Sequence, residues 1–244
     1  MSDPRREELA GSLEQVRGRI ERACAGAGRD RAEVTLVVVT KTFPAADVAR
    51  LAALGVLDVG ENRDQEAAAK AAVLGDLGLR WHFVGQLQRN KARSVAGYAD
   101  VVHSLDRPGL ARALDRGAER AGRRVEVLVQ VDLDESAAAG GDLVRARAGA
   151  RGGARPDAVS ALADEVASAS ALVLRGVMAV APREQDPARA FARLAEVAAR
   201  LRADHPQATW VSAGMSGDLE QAVQAGATHL RVGSAILGHR PPLQ

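Results

Sequence analysis

A lysine follows a run of apolar and β-branched residues near the start of the chain. Lys41 comes after the segment VTLVVVT, and such unbroken runs are typical of strands buried on both faces of a parallel sheet. Burial disfavours the charged form of an amine, so we expect Lys41 to offer a neutral, nucleophilic amine suited to Schiff-base chemistry. The alternative is a solvated charge that marks the exit of the strand, and position alone favours that alternative.

Two turns rich in Gly and Ser follow the last two apolar runs of the chain. Each turn precedes a predicted helix, whose unsatisfied backbone N–H groups and dipole attract an anion. Barrel proteins frequently hold phosphate at the loops after strands seven and eight. Together with a reactive lysine, this cradle predicts a ligand with a carbonyl group and a phosphate, and pyridoxal phosphate and sugar phosphates both qualify. The residues of the two turns are Ser212, Gly214, Ser216, Gly217, Gly233 and Ser234.

Polar residues also follow the second and third apolar runs. Glu61 and Asn62 end the second run and can orient a ligand, although a helix cap is an equal explanation for Asn62. His82 lies inside the third run, where a lone histidine is more often a satisfied core residue than a general base. Gly85 at the end of that run allows a ligand or a neighbouring backbone to approach closely.

These residues are positioned by eight apolar runs that alternate with longer segments rich in Ala, Leu, Glu and Arg. The runs are Val34–Val39, Val56–Val59, Trp81–Gly85, Val101–Ser104, Val125–Val131, Leu172–Met178, Thr209–Ser212 and Thr228–Val232. Helices are predicted between them at about 45–54, 63–75, 89–97, 107–121, 157–169, 186–203 and 217–225. Eight successive βα units predict an α/β protein with a closed (β/α)8 TIM barrel, for which 244 residues suffice.

Two segments lie outside this alternation. An extra N-terminal helix is predicted within residues 1–28, from about Arg5 to Ala27, and Gly28 ends it. Residues 136–155 are rich in Gly, Ala and Arg without a clear period, so we expect a mobile inserted loop on the active-site face. No linker or shift in composition divides the chain, so residues 1–244 are expected to form one domain.

Composition argues against several classes of function. Lys and Arg number 33 against 31 Asp and Glu, like charges do not form runs, and aromatic residues make up 2% of the chain, so nucleic-acid binding is not expected. The polar start and the absence of a long apolar run predict a cytoplasmic protein that does not enter a membrane. The single cysteine, Cys24, is expected to be structural. A monomer is expected, and no metal site is indicated.

Seven segments resemble the pyridoxal phosphate homeostasis protein family over nearly the whole chain. In chain order they are TKTFP, GENRDQEA, WHFVGQLQRNK, HSLDR, RGVMAV, SAGMSGDLEQAV and RVGSAILG. The resemblance implies a barrel similar to the N-terminal domain of alanine racemase, with pyridoxal phosphate held as a Schiff base on Lys41. It also implies that Ser212, Ser216, Gly233 and Ser234 contact the phosphate.

The same resemblance implies places for three further residues. Arg231 would face the pyridine nitrogen, while Asn62 and Met178 would lie beside the ring. A permanent cation at that nitrogen disfavours protonation of the ring and weakens its capacity as an electron sink. The loop at 136–155 departs from the family, in which a shorter connection is expected.

The resemblance implies a protein that holds pyridoxal phosphate and takes part in its intracellular supply and in amino and keto acid balance. Apo-enzymes that depend on this cofactor are candidate recipients. Alanine racemase uses a tyrosine from a second domain, whereas Tyr98, the one tyrosine here, is predicted on the N-terminal face of the barrel. Two alternatives stay open: a pyridoxal-phosphate-dependent amino-acid racemase acting through Lys41, and a Schiff-base sugar-phosphate aldolase without that cofactor.

Overall fold

The computed structural model describes residues 3–134 and 152–238, which contain a closed barrel of eight parallel strands. Each strand pairs with the next along the chain, and the eighth pairs with the first to close the barrel. The predicted barrel is confirmed, and each predicted apolar run overlaps one strand. The strands are β1 (Thr35–Val39), β2 (Asp58–Glu61), β3 (Arg80–Phe83), β4 (Val101–Leu105), β5 (Val125–Gln130), β6 (Leu172–Met178), β7 (Trp210–Ser212) and β8 (His229–Val232).

Helices alternate with the strands, and one precedes them. Three of the helices begin at a proline, whose fixed φ and missing N–H suit the first position of a helix. The helix predicted at 89–97 is shorter than expected, because Arg89–Lys91 form a separate 3₁₀ turn. The helices are α1 (Pro4–Gly26), α2 (Ala45–Ala53), α3 (Asp64–Val73), α4 (Ala92–Tyr98), α5 (Pro108–Ala121), α6 (Val159–Ala167), α7 (Pro187–Asp204), α8 (Leu219–Gln224) and α9 (Ser234–Leu237).

The N-terminal helix α1 packs on the outside of the barrel, against α2, α8 and α9. The Asp3 side chain caps it by accepting a hydrogen bond from the backbone N–H of Arg6 at 3.1 Å. Arg19 joins it to the start of α8 through hydrogen bonds to Glu220 and to the backbone oxygen of Ser216. One face of α1 is fully buried at helical spacing, and that face consists of Leu9, Leu13, Val16, Ile20 and Cys24.

Apolar side chains are divided between two clusters. The larger cluster fills the space between the strands and the surrounding helices. The smaller one consists of Val101, Leu128 and Met178, with Trp210 packed against it. These four residues belong to β4, β5, β6 and β7, and residues two apart along a strand share a face. Much of the remaining interior of the barrel is polar, and the chemistry described below lies there.

The predicted inserted loop lies only partly within the described residues. Of the inserted loop predicted at 136–155, residues 136–151 lie outside the described part of the chain. The remainder packs against the end of β5, where Ala154 pairs with Val131 in an isolated parallel bridge.

Within the described ranges, none of the helices combines the length and the apolar character needed to cross a membrane.

Candidate functional site

Lys41 lies two residues beyond the end of β1, at the carboxyl-terminal mouth of the barrel. Its side chain is exposed, so the burial that the sequence led us to expect is not found. Lysine is rare in this chain: the other two lysines are Lys70 and Lys91. Lys70 is buried among hydrogen-bond partners, and the amine of Lys91 lies 3.8 Å from a carboxylate oxygen of Asp64. Among the described residues, none forms a hydrogen bond or an ion pair with the amine of Lys41.

The backbone on either side of Lys41 is fixed by a cluster, here called the clamp, of the buried Glu61 and Lys70 and the partly exposed Glu66. The amine of Lys70 donates to the backbone oxygen of Thr40 at 2.9 Å, and the Thr40 hydroxyl donates to Glu61 Oε1 at 2.6 Å. On the other side, the backbone N–H of Thr42 donates to Glu66 Oε1 at 2.6 Å. Thr42 adopts a left-handed conformation with φ of 70°, which is uncommon for a residue other than glycine. The clamp therefore holds the backbone of Thr40 and Thr42, the residues on either side of Lys41.

Ion pairs hold the clamp together. Lys70 Nζ lies 2.7 Å from Glu61 Oε1 and 2.6 Å from Glu66 Oε1. Burial raises the pKa of the Glu61 carboxyl, while the hydrogen bonds from Lys70 and Thr40 oppose that shift. The second carboxylate oxygen of Glu61, Oε2, is buried without a hydrogen-bond partner among the described residues. A buried oxygen in that state is costly, and it can accept a hydrogen bond from a ligand.

Asn62 follows β2 and presents a second buried acceptor. Its side-chain oxygen, Oδ1, has no hydrogen-bond partner within residues 3–134 and 152–238. Gly85 explains how the backbone of Asn62 reaches this position, because a Cβ atom on Gly85 would lie 2.2 Å from the backbone oxygen of Asn62. The glycine predicted to allow a close approach at the end of the third strand does so, and its neighbour is Asn62.

Arg231 in β8 is buried inside the barrel. One terminal nitrogen donates to the Ser212 hydroxyl oxygen at 2.5 Å, and the other donates to the backbone oxygen of Ala179 at 2.9 Å. Both acceptors are uncharged, and these bonds use two of the five N–H groups of a guanidinium. Burial lowers the pKa of Arg231 to about 10, while the negative charge of Asp218 acts in the opposite direction. The side chain therefore remains a cation at neutral pH.

A line of buried side chains continues from Ser212 across the interior of the barrel. The Ser212 hydroxyl lies 2.9 Å from His103 Nδ1, and His103 Nε2 lies 2.9 Å from His82 Nδ1. His82 Nε2 in turn lies 2.9 Å from Asp58 Oδ1. Ser212 and His103 belong to β7 and β4, which are not neighbours in the sheet, so their contact passes through the interior. This line, here called the histidine chain, consists of Asp58, His82, His103 and Ser212.

The Gly/Ser turns after β7 and β8 lie against each other, as the anion-cradle prediction requires. The backbone N–H of Ala235 and the hydroxyl of Ser234 both approach the Ser216 hydroxyl oxygen, at 3.3 and 3.2 Å. Gly233 sits directly above β1, since a Cβ atom there would lie 3.0 Å from the backbone oxygen of Val39. Ser216 and Ser234 are thus joined at the same mouth of the barrel as Lys41.

The remaining predicted residues occupy two distinct levels. Met178 is buried at the end of β6 in the interior apolar cluster. Ser212 is fully buried, with its hydroxyl between Arg231 and His103, and so lies deeper than Ser216 and Ser234. Among the described residues, no group of His, Cys, Asp or Glu side chains is arranged to hold a metal ion.

Sequence reasoning missed two kinds of residue in this site. His103 and His229 were not singled out, although each lies in an apolar strand in phase with an inward-facing neighbour two residues away, Val101 and Arg231. Lys70 was overlooked because it lies in a helix, where a lysine is usually a solvated charge. Because the chain has three lysines, a count of lysines would have directed attention to Lys70.

The family model for the alanine racemase N-terminal domain matches residues 12–241. The pyridoxal phosphate homeostasis protein of Mycobacterium tuberculosis H37Rv is 43% identical, over 97% of this chain and 94% of the relative. The pyridoxal phosphate homeostasis protein of Escherichia coli K12 is 37% identical, over 96% of this chain and 97% of the relative.

Two solved structures are also similar to this chain. PipY of Synechococcus elongatus, whose structure was determined with PLP bound, superimposes with a TM-score of 0.79 at 33% identity, covering 94% of this chain and 100% of PipY. Alanine racemase of Corynebacterium glutamicum superimposes with a TM-score of 0.68 at 15% identity, covering 98% of this chain and 63% of the racemase. At that low identity, the second likeness bears on the fold alone.

Proposed function

The chain belongs to the pyridoxal phosphate homeostasis protein family, and we propose that it binds pyridoxal 5'-phosphate (PLP) as a Schiff base on Lys41. The observation that carries this proposal is the state of the three lysines. Lys70 is buried in the clamp and Lys91 lies near Asp64, whereas Lys41 extends from the barrel mouth with neither hydrogen bonds nor ion pairs to the described residues. Lys41 is therefore the amine available to a carbonyl ligand.

The polar groups at the mouth fit the rest of PLP. When bound, PLP supplies an aldehyde that condenses with an amine and an aromatic ring that can accept electrons. We assign Arg231 to the ring nitrogen, because its guanidinium is buried, cationic and bonded so far only to uncharged acceptors. Asn62 and Met178 are assigned to the edges of the ring, and the unpartnered Oδ1 of Asn62 is an acceptor that a bound ligand can satisfy.

The phosphate is assigned to the joined turns that carry Ser216, Gly233 and Ser234. Hydroxyl groups there donate without bulk, and a glycine keeps the space open for an anion. Ser212 belongs to the same set of expected phosphate contacts. Since its hydroxyl is fully buried between Arg231 and His103, we propose that Ser212 serves the ligand through Arg231.

A role in holding PLP fits these residues better than a catalytic cycle. A permanent cation at the ring nitrogen disfavours ring protonation and so weakens the electron sink that racemisation uses. Tyr98, the one tyrosine of the chain, ends α4 directly before β4, and burial raises the pKa of its hydroxyl above the ordinary value. Tyr98 is therefore poorly suited to take a proton at the barrel mouth. We propose that the protein stores PLP and takes part in its intracellular supply and in amino and keto acid balance.

The experiment that tests this assignment uses the small number of lysines. PLP is added to the purified protein, the visible absorption band of the Schiff base is recorded, and borohydride then fixes the cofactor for peptide mass spectrometry. We expect the mass increase on the peptide containing Lys41, no band in Lys41→Ala, and a normal band in the control Lys91→Ala. A band that survives in Lys41→Ala would refute the assignment. Turnover of single L-amino acids well above that of free PLP, measured by chiral analysis, would favour a racemase.

Three further parts of the proposal concern the setting of the protein. We propose that it works in the cytoplasm, where its single buried cysteine stays reduced. We also propose that it is a monomer and that PLP-dependent apo-enzymes receive its cofactor. Light scattering at several concentrations tests the first of these two points. Transfer of the visible band to an added apo-enzyme, faster than free PLP dissociates, tests the second.

A further inference from the structure

We propose that Asp58, His82 and His103 are positioning residues for Arg231, acting through Ser212 so that the guanidinium is held in one orientation towards the PLP ring. This inference rests on the proposed function. It assigns a task to polar residues of the barrel interior that do not contact Lys41, Ser216 or Ser234 within the described part of the chain. Each link between these residues is a hydrogen bond with one donor atom and one acceptor atom.

At one end of the histidine chain, Arg231 fixes the role of the Ser212 oxygen as an acceptor. A guanidinium can only donate, so the Ser212 oxygen accepts from Arg231 at 2.5 Å. The hydroxyl proton of Ser212 can then go to His103 Nδ1, 2.9 Å away, provided that this nitrogen carries no proton. His103 would in that case carry its proton on Nε2 and donate it to His82 Nδ1.

The other end of the histidine chain fixes the direction in which the protons point. Although burial acts to raise it, the pKa of Asp58 is lowered, chiefly by the hydrogen bond from His82, so Asp58 is an ionised acceptor. His82 must therefore donate from Nε2, which leaves Nδ1 as an acceptor for His103 if the ring is neutral. Burial lowers the pKa of both histidines, and neutral rings are the result. The Asp58 end thus requires every proton to point from Arg231 towards Asp58, and the donor role of Arg231 at the other end is compatible with that direction.

Other charged groups around the two rings do not disturb this arrangement. His229 lies with its ring centre 6.4 Å from those of His82 and His103, and burial lowers its pKa to about 3, so it is neutral. Arg80 also acts on both rings and opposes their protonation, whereas Asp100 acts in the opposite sense on His82. The groups that favour neutral rings therefore prevail.

The histidine chain has two effects on Arg231. It leaves a lone pair of the Ser212 oxygen facing the guanidinium, because the Ser212 hydroxyl donates its hydrogen bond to His103 Nδ1. It also connects the buried cation to the carboxylate of Asp58, whose side chain retains 22% of its exposure at the start of β2, away from the ligand end of the barrel. Asp58 is thus too distant in the fold to touch a ligand held at Lys41, and any effect it has on the ligand must pass through the histidine chain.

The first arm of the test needs no cofactor. Nitrogen-15 NMR of the histidine side chains in the PLP-free protein reports which ring nitrogen carries the proton. We expect His82 and His103 to be neutral and protonated on Nε2. Protonation of either ring on Nδ1 would overturn the proposal, and this measurement uses the unaltered protein, so it does not depend on whether any variant folds.

The second arm measures PLP release from Asp58→Ala and Asp58→Asn, both far from the ligand. We expect release to be about 10-fold faster in Asp58→Ala, comparable to the loss of one hydrogen bond to a charged group, with a shift in the visible band. Asp58→Asn keeps an acceptor oxygen for His82 and should stay within about 2-fold of the unaltered protein. Equal release from a folded Asp58→Ala would overturn the proposal. An unaltered protein without any visible band would instead refute the proposed function and, with it, the role of Arg231.

Discussion

Replacing Lys70 by methionine tests the clamp beside Lys41. Methionine keeps an unbranched side chain and removes the charge together with three hydrogen bonds, those to Thr40 O, Glu61 Oε1 and Glu66 Oε1. Glu66 is one-quarter exposed and can turn to water, whereas the Glu61 side chain is 1% exposed and cannot. Glu61 would be left with the Thr40 hydroxyl as its partner among the described residues.

The cost follows from that buried carboxylate. Removing one partner of a buried ion pair typically costs about 3–5 kcal/mol, and folded domains of this kind are stable by about 5–15 kcal/mol. Since Glu66 relaxes and Glu61 can take up a proton, we expect a loss near the lower end, about 3 kcal/mol in the free energy of unfolding at pH 7.5. The same change should slow Schiff-base formation at Lys41, because Thr40 loses its anchor.

The dependence on pH identifies the cause. Burial already raises the pKa of Glu61 above its unfolded value, and loss of Lys70 raises it further. A carboxyl whose folded pKa is raised destabilises the fold only where it is ionised in the unfolded chain, so the penalty is absent below about pH 4.5 and grows as pH rises towards the folded pKa. Compared with the unaltered protein at each pH, Lys70→Met should therefore lose more stability at pH 7.5 than at pH 5.

Urea unfolding followed by circular dichroism measures these differences. Lys91→Met is the matched control, since its amine lies 3.8 Å from Asp64 near the surface and its loss should cost less than about 1 kcal/mol. Adding Glu61→Gln to Lys70→Met removes the stranded charge and should recover part of the loss. A loss of stability in Lys70→Met no larger than that in Lys91→Met, or a loss that is the same at both pH values, would refute a buried, stranded carboxylate at Glu61.

Three other outcomes are expected. Lys41→Ala should change the free energy of unfolding by less than about 0.5 kcal/mol, since Lys41 is exposed; a larger loss by urea unfolding would mean that it supports the fold. Gly85→Ala should lower the melting temperature and weaken PLP binding, because its Cβ would lie 2.2 Å from Asn62 O, whereas Gly97→Ala in α4 meets nothing within 4 Å and should be neutral or stabilising. His229, with a pKa lowered to about 3, should cost stability as pH falls from about 6.5 towards 3, and His229→Gln should flatten that slope in urea unfolding.

Much of the fold could be predicted because each strand is a short apolar run followed by a helical segment. The joined turns after β7 and β8 could also be predicted, since Ser216 and Ser234 follow strands that are neighbours in any such barrel. The exposure of Lys41 could not. An apolar run shows that the strand is buried, but the lysine two residues beyond it has already reached the mouth of the barrel.

The histidine chain lay beyond sequence reasoning for a different reason. The sequence left His82 ambiguous between a satisfied core residue, the more frequent case, and a general base. His82 is buried with both ring nitrogens engaged, but no sequence pattern indicates its partners. His103 meets Ser212 across the interior, over a distance in sequence that no local pattern encodes. The position of Lys70 has the same origin, because a helical lysine is buried only where two carboxylates and a backbone oxygen happen to converge.

The closure of the barrel also bears on how the protein is made. β1 and β8 pair side by side, with Val37 opposite Arg231. The two groups assigned to opposite ends of the PLP ring therefore belong to the first and last strands of the barrel, since Lys41 follows β1 and Arg231 lies in β8. A nascent chain that still lacks β8 has Lys41 but no Arg231 and no second Gly/Ser turn. Stable retention of PLP should therefore begin only once β8 has been synthesised and has paired with β1, and the ligand would then favour the closed barrel by mass action.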